Sequence, residues 1–272
     1  QTVPLGGGPA YATPDGERIA DLALRYGATA LGGFFTMSPE LPLQLDRLLA
    51  IARERGVGID LHVDENGDAS AEVLRHVAEA VLRRDFPHPV TCGHCCSLAV
   101  QTPERMRSTI SRVKAAGISI ISLPLCNLYL QDRRDGTTYP RSPIWRGLTL
   151  IRDLLDAGVP VACASDNVRD AFYAFGDYDL TEVYTQSVRL AHLDADALGD
   201  SIKVVTRTAA DVIGRPDLGR IAPGTRAHLT VFPAHRYSEL LSRPNLARRC
   251  IDGEVVSTPE LPDFAELQDR AS

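Results

Sequence analysis

The chain has 272 residues, 44% of them hydrophobic and 24% charged, which suits one or two globular domains with a large core and excludes a disordered chain. A formal net charge of −6 without any run of lysine or arginine excludes the basic footprint of a nucleic-acid binder. Its apolar stretches are too short for a membrane span, and six cysteines are too few for a disulfide scaffold. The start, Gln1-Thr2-Val3-Pro4, has no basic signal region, so a cytoplasmic protein with reduced thiols, no membrane and no nucleic acid is expected.

Gln1 to Leu5 reads as a short strand broken by Gly6-Gly7-Gly8-Pro9. Thr13-Pro14 sets a cap and first helical position, and Ile19, Leu22, Ala23 and Tyr26 share one face of the helix that Gly27 ends. Strand Ala28 to Gly32 follows, then a helix with Leu41, Leu45, Leu48, Leu49 and Ala52 on one face, closed by Gly56. Strand Val57 to His62 precedes a helix from Ser70, with Val73, Val77, Ala80 and Val81 inward. Strand Val90 to Cys92 leads to His94, and Thr102-Pro103-Glu104 opens a helix that stops at Gly117. Next come strand Ile118 to Leu123, a helix bearing Leu150, Ile151, Leu154 and Leu155 up to Gly158, and strand Pro160 to Ala164. Two helices, Leu180 to Leu193 and Asp196 to Ile213, lie beyond Asp166.

The repeated unit is helix, terminal glycine, strand, loop, and glycine enters the left-handed helix-ending conformation without steric cost. Strands alternating with helices imply a parallel sheet, whose chemistry gathers at the strand C-terminal ends. His62, His94 and Asp166 all fall at such ends, with Glu65 three residues past His62. Past residue 215 the pattern turns all-β: a turn at Arg220 to Gly224, a strand Leu229 to Phe232, and a hairpin around Asp252-Gly253. Residues 1–215 and 216–272 are the expected domains, the second too small to fold alone.

Several motifs together resemble the amidohydrolase superfamily and its cytosine deaminase branch. They are His62-Val-Asp-Glu65, Gly93-His94, Pro124-Leu-Cys-Asn127-Leu-Tyr-Leu-Gln131, Arg146-Gly-Leu-Thr149 and Ser165-Asp166-Asn167-Val-Arg-Asp170. The ending Gly219-Arg-Ile-Ala-Pro-Gly224 with Ala227 to Val231 matches too, although His228 stands where an Asp is common. The resemblance implies an incomplete (β/α)8 TIM-type barrel, strands 3 to 8 of the plan, with the C-terminal part of a small β-sandwich. The His-x-His pair of strand 1 is missing from the seven histidines, so a further N-terminal segment or a second chain is expected to complete the barrel, or a homo-oligomer to cover its edges.

The same resemblance implies one divalent metal, zinc or iron with manganese as a third option, held by His62 and Asp166. Asp166 would also orient the hydroxide, His94 would hydrogen-bond it, and Glu65 would carry a proton to the ring nitrogen of a heterocyclic substrate. Asn127, Gln131, Asn167 and Phe172 would face that small molecule. The implied reaction is hydrolytic deamination of cytosine or a related aminopyrimidine or triazine. Leu5-Gly6-Gly7-Gly8 stands where the branch carries a pyrimidine-reading glutamine, Asn167 where it has a second Asp, and Phe172 where it has a Trp. Those departures leave the ring open.

Plainer readings stand beside these. Glu65 could decorate a turn or cap a helix, Asp166 could form an Asx-turn, and His94 could be structural. Asn127 and Gln131 could stabilise a loop, Phe172 could be core, and Cys92-x-x-Cys95 has no second pair for a closed zinc site. The competing functions are another carbon–nitrogen hydrolase of the superfamily and a catalytically silent partial barrel acting as a subunit.

Overall fold

Six parallel strands lie side by side in chain order, each hydrogen-bonded to the next. They are β1 (Gly6–Gly7), β2 (Ala30–Phe35), β3 (Gly58–Val63), β4 (Val90–His94), β5 (Ser119–Ser122) and β6 (Val161–Cys163). The computed structural model describes residues 2–133, 141–194, 198–242 and 248–256. A doubly wound sheet reverses its strand order at a switch point, whereas this one runs from β1 to β6 without reversal, as a (β/α)8 barrel winds. The fold is a partial TIM-type barrel.

Helices α1 (Asp15–Arg25), α2 (Leu41–Glu54), α3 (Val73–Arg84), α4 (Pro103–Ala115), α5 (Pro124–Leu130) and α6 (Ile151–Asp156) join successive strands, and α7 (Leu180–Ala191) follows β6. Side chains of a strand alternate between faces. In β3, Ile59, Leu61 and Val63 are buried with the inward stripes of α2 and α3, while Asp60 and His62 take the opposite face. The register sets Gly7, Phe34, His62 and Gly93 at one level across four strands.

Several boundaries differ from expectation for identifiable reasons. The first strand pairs through Gly6–Gly7, not through residues up to Leu5, and Gln1 lies outside the described residues. Strand β2 runs past Gly32 to Phe35, because a Cβ on Gly32 would sit 2.0 Å from the Asp60 carbonyl oxygen and one on Gly33 2.1 Å from that of Gly6. Glycine here permits close strand approach and does not end the strand. Helix α3 begins at Val73 and not Ser70, since the buried Asp64 carboxylate accepts hydrogen bonds from Val73 N and Leu74 N, both at 2.9 Å. Helix α5 replaces the expected loop after β5, opened by Pro124 in its first turn. Of the single helix expected from Asp196 to Ile213, Asp196 lies outside the described residues, and from Leu198 the chain forms Leu198–Ser201, a 3-10 turn Ile202–Val205 and, after a break at Thr206 (φ −123°, ψ −99°), Arg207–Val212.

The described residues divide into two compact units between Arg220 and Ile221. In the second, β7 (Leu229–Val231), β8 (Arg248–Ile251) and β9 (Glu254–Val256) form an antiparallel sheet. Asp252 and Gly253 turn the hairpin with φ of +50° and +88°, as a tight primed turn requires. No helix among the described residues is long and apolar enough to cross a membrane.

Because Asp64 satisfies two N-terminal amides of α3 from a buried position, Asp64→Ala is expected to lower unfolding free energy by about 2 kcal/mol. Urea denaturation checks this; an unchanged midpoint would remove Asp64 as the cap.

Candidate active site

His62 lies one residue before the end of β3, His94 ends β4, and Asp166 follows β6 by three residues. Glu65 sits two residues past β3, and Asn127 is carried by α5 beyond β5. Asp64, His94, Cys95 and Asp166 all have left-handed backbone, φ between +50° and +67°. Such a conformation costs a non-glycine residue of order 1 kcal/mol or more, and clusters of it mark sites where geometry is imposed by surroundings.

Asn127 is the hub. Its Nδ2 donates to Glu65 Oε1 and to His94 Nδ1, each at 3.1 Å. With Nδ1 accepting, the hydrogen of a neutral His94 is on Nε2, which donates to His62 Nδ1 at 3.0 Å. The two imidazoles lie 4.9 Å apart centre to centre. His94 is 2% exposed, and burial first, then the charge of His62, drives its pKa down to about 3 against the Asn127 hydrogen bond. Its 3.3 Å approach to Glu65 is therefore a contact with an uncharged ring and not a salt bridge.

The Glu65 side chain keeps 35% of its surface open, but its carboxyl faces His94 and Asn127. Burial and then the Asp166 charge push its pKa up to about 7, opposed by Asn127. Burial also raises Asp166, with the Cys126 thiol and His62 pulling the other way. Asp166 Oδ2 is buried without any hydrogen-bond partner. An orphaned carboxylate oxygen is costly unless something positive meets it. Donor atoms of Glu65, His94 and Asp166 all come within 4.8 Å of one another, and His62 adjoins the group through His94. A carboxylate oxygen with unused capacity beside imidazole nitrogens is a donor set suited to a zinc- or iron-type divalent ion.

The other expected site residues divide. Gln131 does not point at the cavity; its Nε2 donates to the Glu65 carbonyl at 3.1 Å, bracing that loop. Asn167 is held by Asp170 at 2.6 Å and accepts from the Cys126 thiol at 3.3 Å. Asp170 also accepts from the amides of Phe172 and Tyr173, and this turn sets Phe172 on the cavity wall. The residues the motifs did not single out are Asp64, Cys126, Phe34 and Trp145. The Trp145 ring covers Gly67, where a Cβ would come within 2.9 Å, so the loop carrying Glu65 is pinned from outside. Asp132 holds that cover by taking Arg141 and the amides of Ile144 and Trp145. Cys92 and Cys95 are free and fully buried, which is packing and not redox chemistry.

A model of the amidohydrolase family matches residues 6–258. Pterin deaminase of Rhizobium rhizogenes is 48% identical over 255 residues, covering 93% of this chain and 57% of the relative. N-isopropylammelide isopropyl amidohydrolase of Pseudomonas sp. is 25% identical over 221 residues, 80% of this chain and 50% of the relative. Among solved structures, 5-methylcytosine deaminase from Klebsiella pneumoniae liganded with 5-fluorocytosine superposes with a TM-score of 0.77 at 25% identity, over 92% of this chain and 61% of that one. The chain thus spans about half the length of the curated relatives it matches.

Asn127 lowers the pKa of Glu65 and raises that of His94, so Asn127→Leu should move them apart. In metal-free protein, NMR titration is expected to place Glu65 above about 7 and His94 below about 3. Shifts in the same direction would refute the hub.

Proposed function

The chain belongs to the amidohydrolase family, and from that premise we propose that its site serves metal-dependent hydrolytic deamination of an amino-substituted nitrogen heterocycle, with pterin as the ring system best supported. The observation that carries this is the buried, partnerless Asp166 Oδ2 beside a neutral His94 and a carboxyl, Glu65, whose pKa is pushed up to about 7. Support for the ring comes from the pterin deaminase relative, at 48% identity over 93% of the chain.

His62 and Asp166 would hold the metal, with Glu65 and His94 near enough to face what it binds. A divalent ion there supplies acidity, making water available as a nucleophile near neutral pH. Glu65, with its pKa at about 7, gives and takes a proton with equal readiness at neutral pH. Its carboxyl can therefore protonate a ring nitrogen beside the amino-bearing carbon, take up the proton that water gives up as its oxygen bonds to that carbon, and hand this second proton to the amine as the carbon–nitrogen bond breaks. Asn127 keeps that carboxyl beside His94 while the proton moves. His94, unable to become a cation near neutral pH, has one hydrogen to offer, on Nε2, and would turn it from His62 to the oxygen that adds to the ring. Trp145 and Gln131 keep the Glu65 loop from opening to water.

The full natural polypeptide, reconstituted with zinc, iron(II) or manganese, is expected to release ammonia from pterin, and chelation should abolish the release until metal is returned. Glu65→Gln should lower kcat by about 10²- to 10⁴-fold while leaving bound metal unchanged. No ammonia from any aminated heterocycle with metal bound would contradict the reading.

A further inference from the structure

At the level of His62, the neighbouring residue on β2 is Phe34. Strand alternation sends Leu31 and Phe35 to the helix-covered face and Phe34 to the face of His62 and Asp60. The contrast in burial is large: Phe35 is 2% exposed and Phe34 53%. On its other flank Phe34 pairs with Gly7, where a Cβ would already touch the ring at 3.4 Å. The glycine leaves that flank of the ring clear.

Phe34 opens onto a cavity of about 530 Å³ that also takes in Met37, His62, Glu65 and Phe172. Its lining sets polar groups, His62 and Glu65 with Asn66 and Asp68, beside three exposed apolar side chains, Phe34, Met37 and Phe172. A single pyrimidine ring held by its amino edge at Glu65 would leave apolar lining uncovered. A fused two-ring heterocycle has a polar amino-bearing ring for Glu65 and a second flat aromatic ring for the apolar side chains.

We propose that Phe34 is a specificity-determining residue whose ring stacks on the second, fused ring of a pteridine-type substrate while the aminopyrimidine edge meets Glu65. The inference rests on the deaminase reading above and adds to it the residue that selects two rings over one. Phe34 makes no contact with the reacting atoms, so its contribution belongs to binding. Phe35, one residue on, borders the same cavity but is 2% exposed and offers it almost no surface.

The test uses the full natural polypeptide with metal bound, assayed for ammonia from pterin, with pterin affinity followed independently by quenching of the ligand's own fluorescence. Phe34→Ala is expected to raise KM and Kd for pterin about 10-fold and to leave kcat within about twofold, since stacking and apolar burial are lost but the proton-transfer groups are not. Phe34→Tyr, which keeps the ring face, should restore both constants to within about twofold of wild type. The inference is overturned if Phe34→Ala leaves KM and Kd unchanged, or lowers kcat with KM constant. Wild-type enzyme that deaminates single-ring cytosine but not pterin overturns it alone; ammonia from neither ring overturns the deaminase reading with it.

Discussion

Everything at this site depends on a hydrogen-bonded chain, Glu65, Asn127, His94 and His62, at the rim of a parallel sheet, with Asn127 and His94 buried at its centre. Burial favours the uncharged forms of ionisable groups, and it is the largest influence on Glu65, His94 and Asp166 alike. The two carboxyls rise and the imidazole falls. One amide donor divides its hydrogens between a carboxyl that it pulls down and an imidazole that it pulls up, moderating both. Without Asn127 the buried His94 Nδ1 would lose its donor, which costs more than a hydrogen bond returns.

The barrel supplies rigidity for this chain. His62 and His94 are on adjacent strands whose register is locked by backbone pairing, with His62 level with Gly93. Glu65 leaves β3 through Asp64, whose left-handed backbone lets its side chain cap α3 while the next residue turns inward. Helix capping and the placement of Glu65 therefore share one short turn. Asp166 reaches the same rim from β6 through a second left-handed residue, and Cys126 of α5 steadies its carboxyl. Strain at these positions is sustained because helices, caps and the Trp145 cover all bear on them.

Much of this was legible in the sequence where periodicity or punctuation has a mechanism. Gly27, Gly56, Gly117 and Gly158 all have the positive φ that their place at helix ends demands, and Thr102 caps α4 as its Pro103 neighbour suggests. His62, His94 and Asp166 were expected at strand ends with Glu65 just beyond; donor atoms of Glu65, His94 and Asp166 lie within 4.8 Å of one another, and His62 meets them through His94. What could not be read depends on contacts between distant segments. Gly32 looked like a strand end, and only the carbonyls of Asp60 and Gly6 reveal it and Gly33 as places of close approach. Gln131 looked like a pocket residue until its partner proved to be the Glu65 backbone. Asn127 was one of several polar residues after a strand; that α5 turns it toward both Glu65 and His94 follows from a helix the pattern did not announce. Phe34 carries no polar group to attract notice, and its place beside His62 comes from strand register alone.

The central claim is that His62 and Asp166 share one divalent ion beside Glu65 and His94. Anomalous diffraction from crystals of the full natural polypeptide loaded with zinc tests it most directly. The account predicts one strong peak within bonding distance of both a His62 ring nitrogen and an Asp166 carboxylate oxygen, Oδ2 among them. A peak that neither residue touches, or a fully loaded crystal with no peak at this rim, would contradict it.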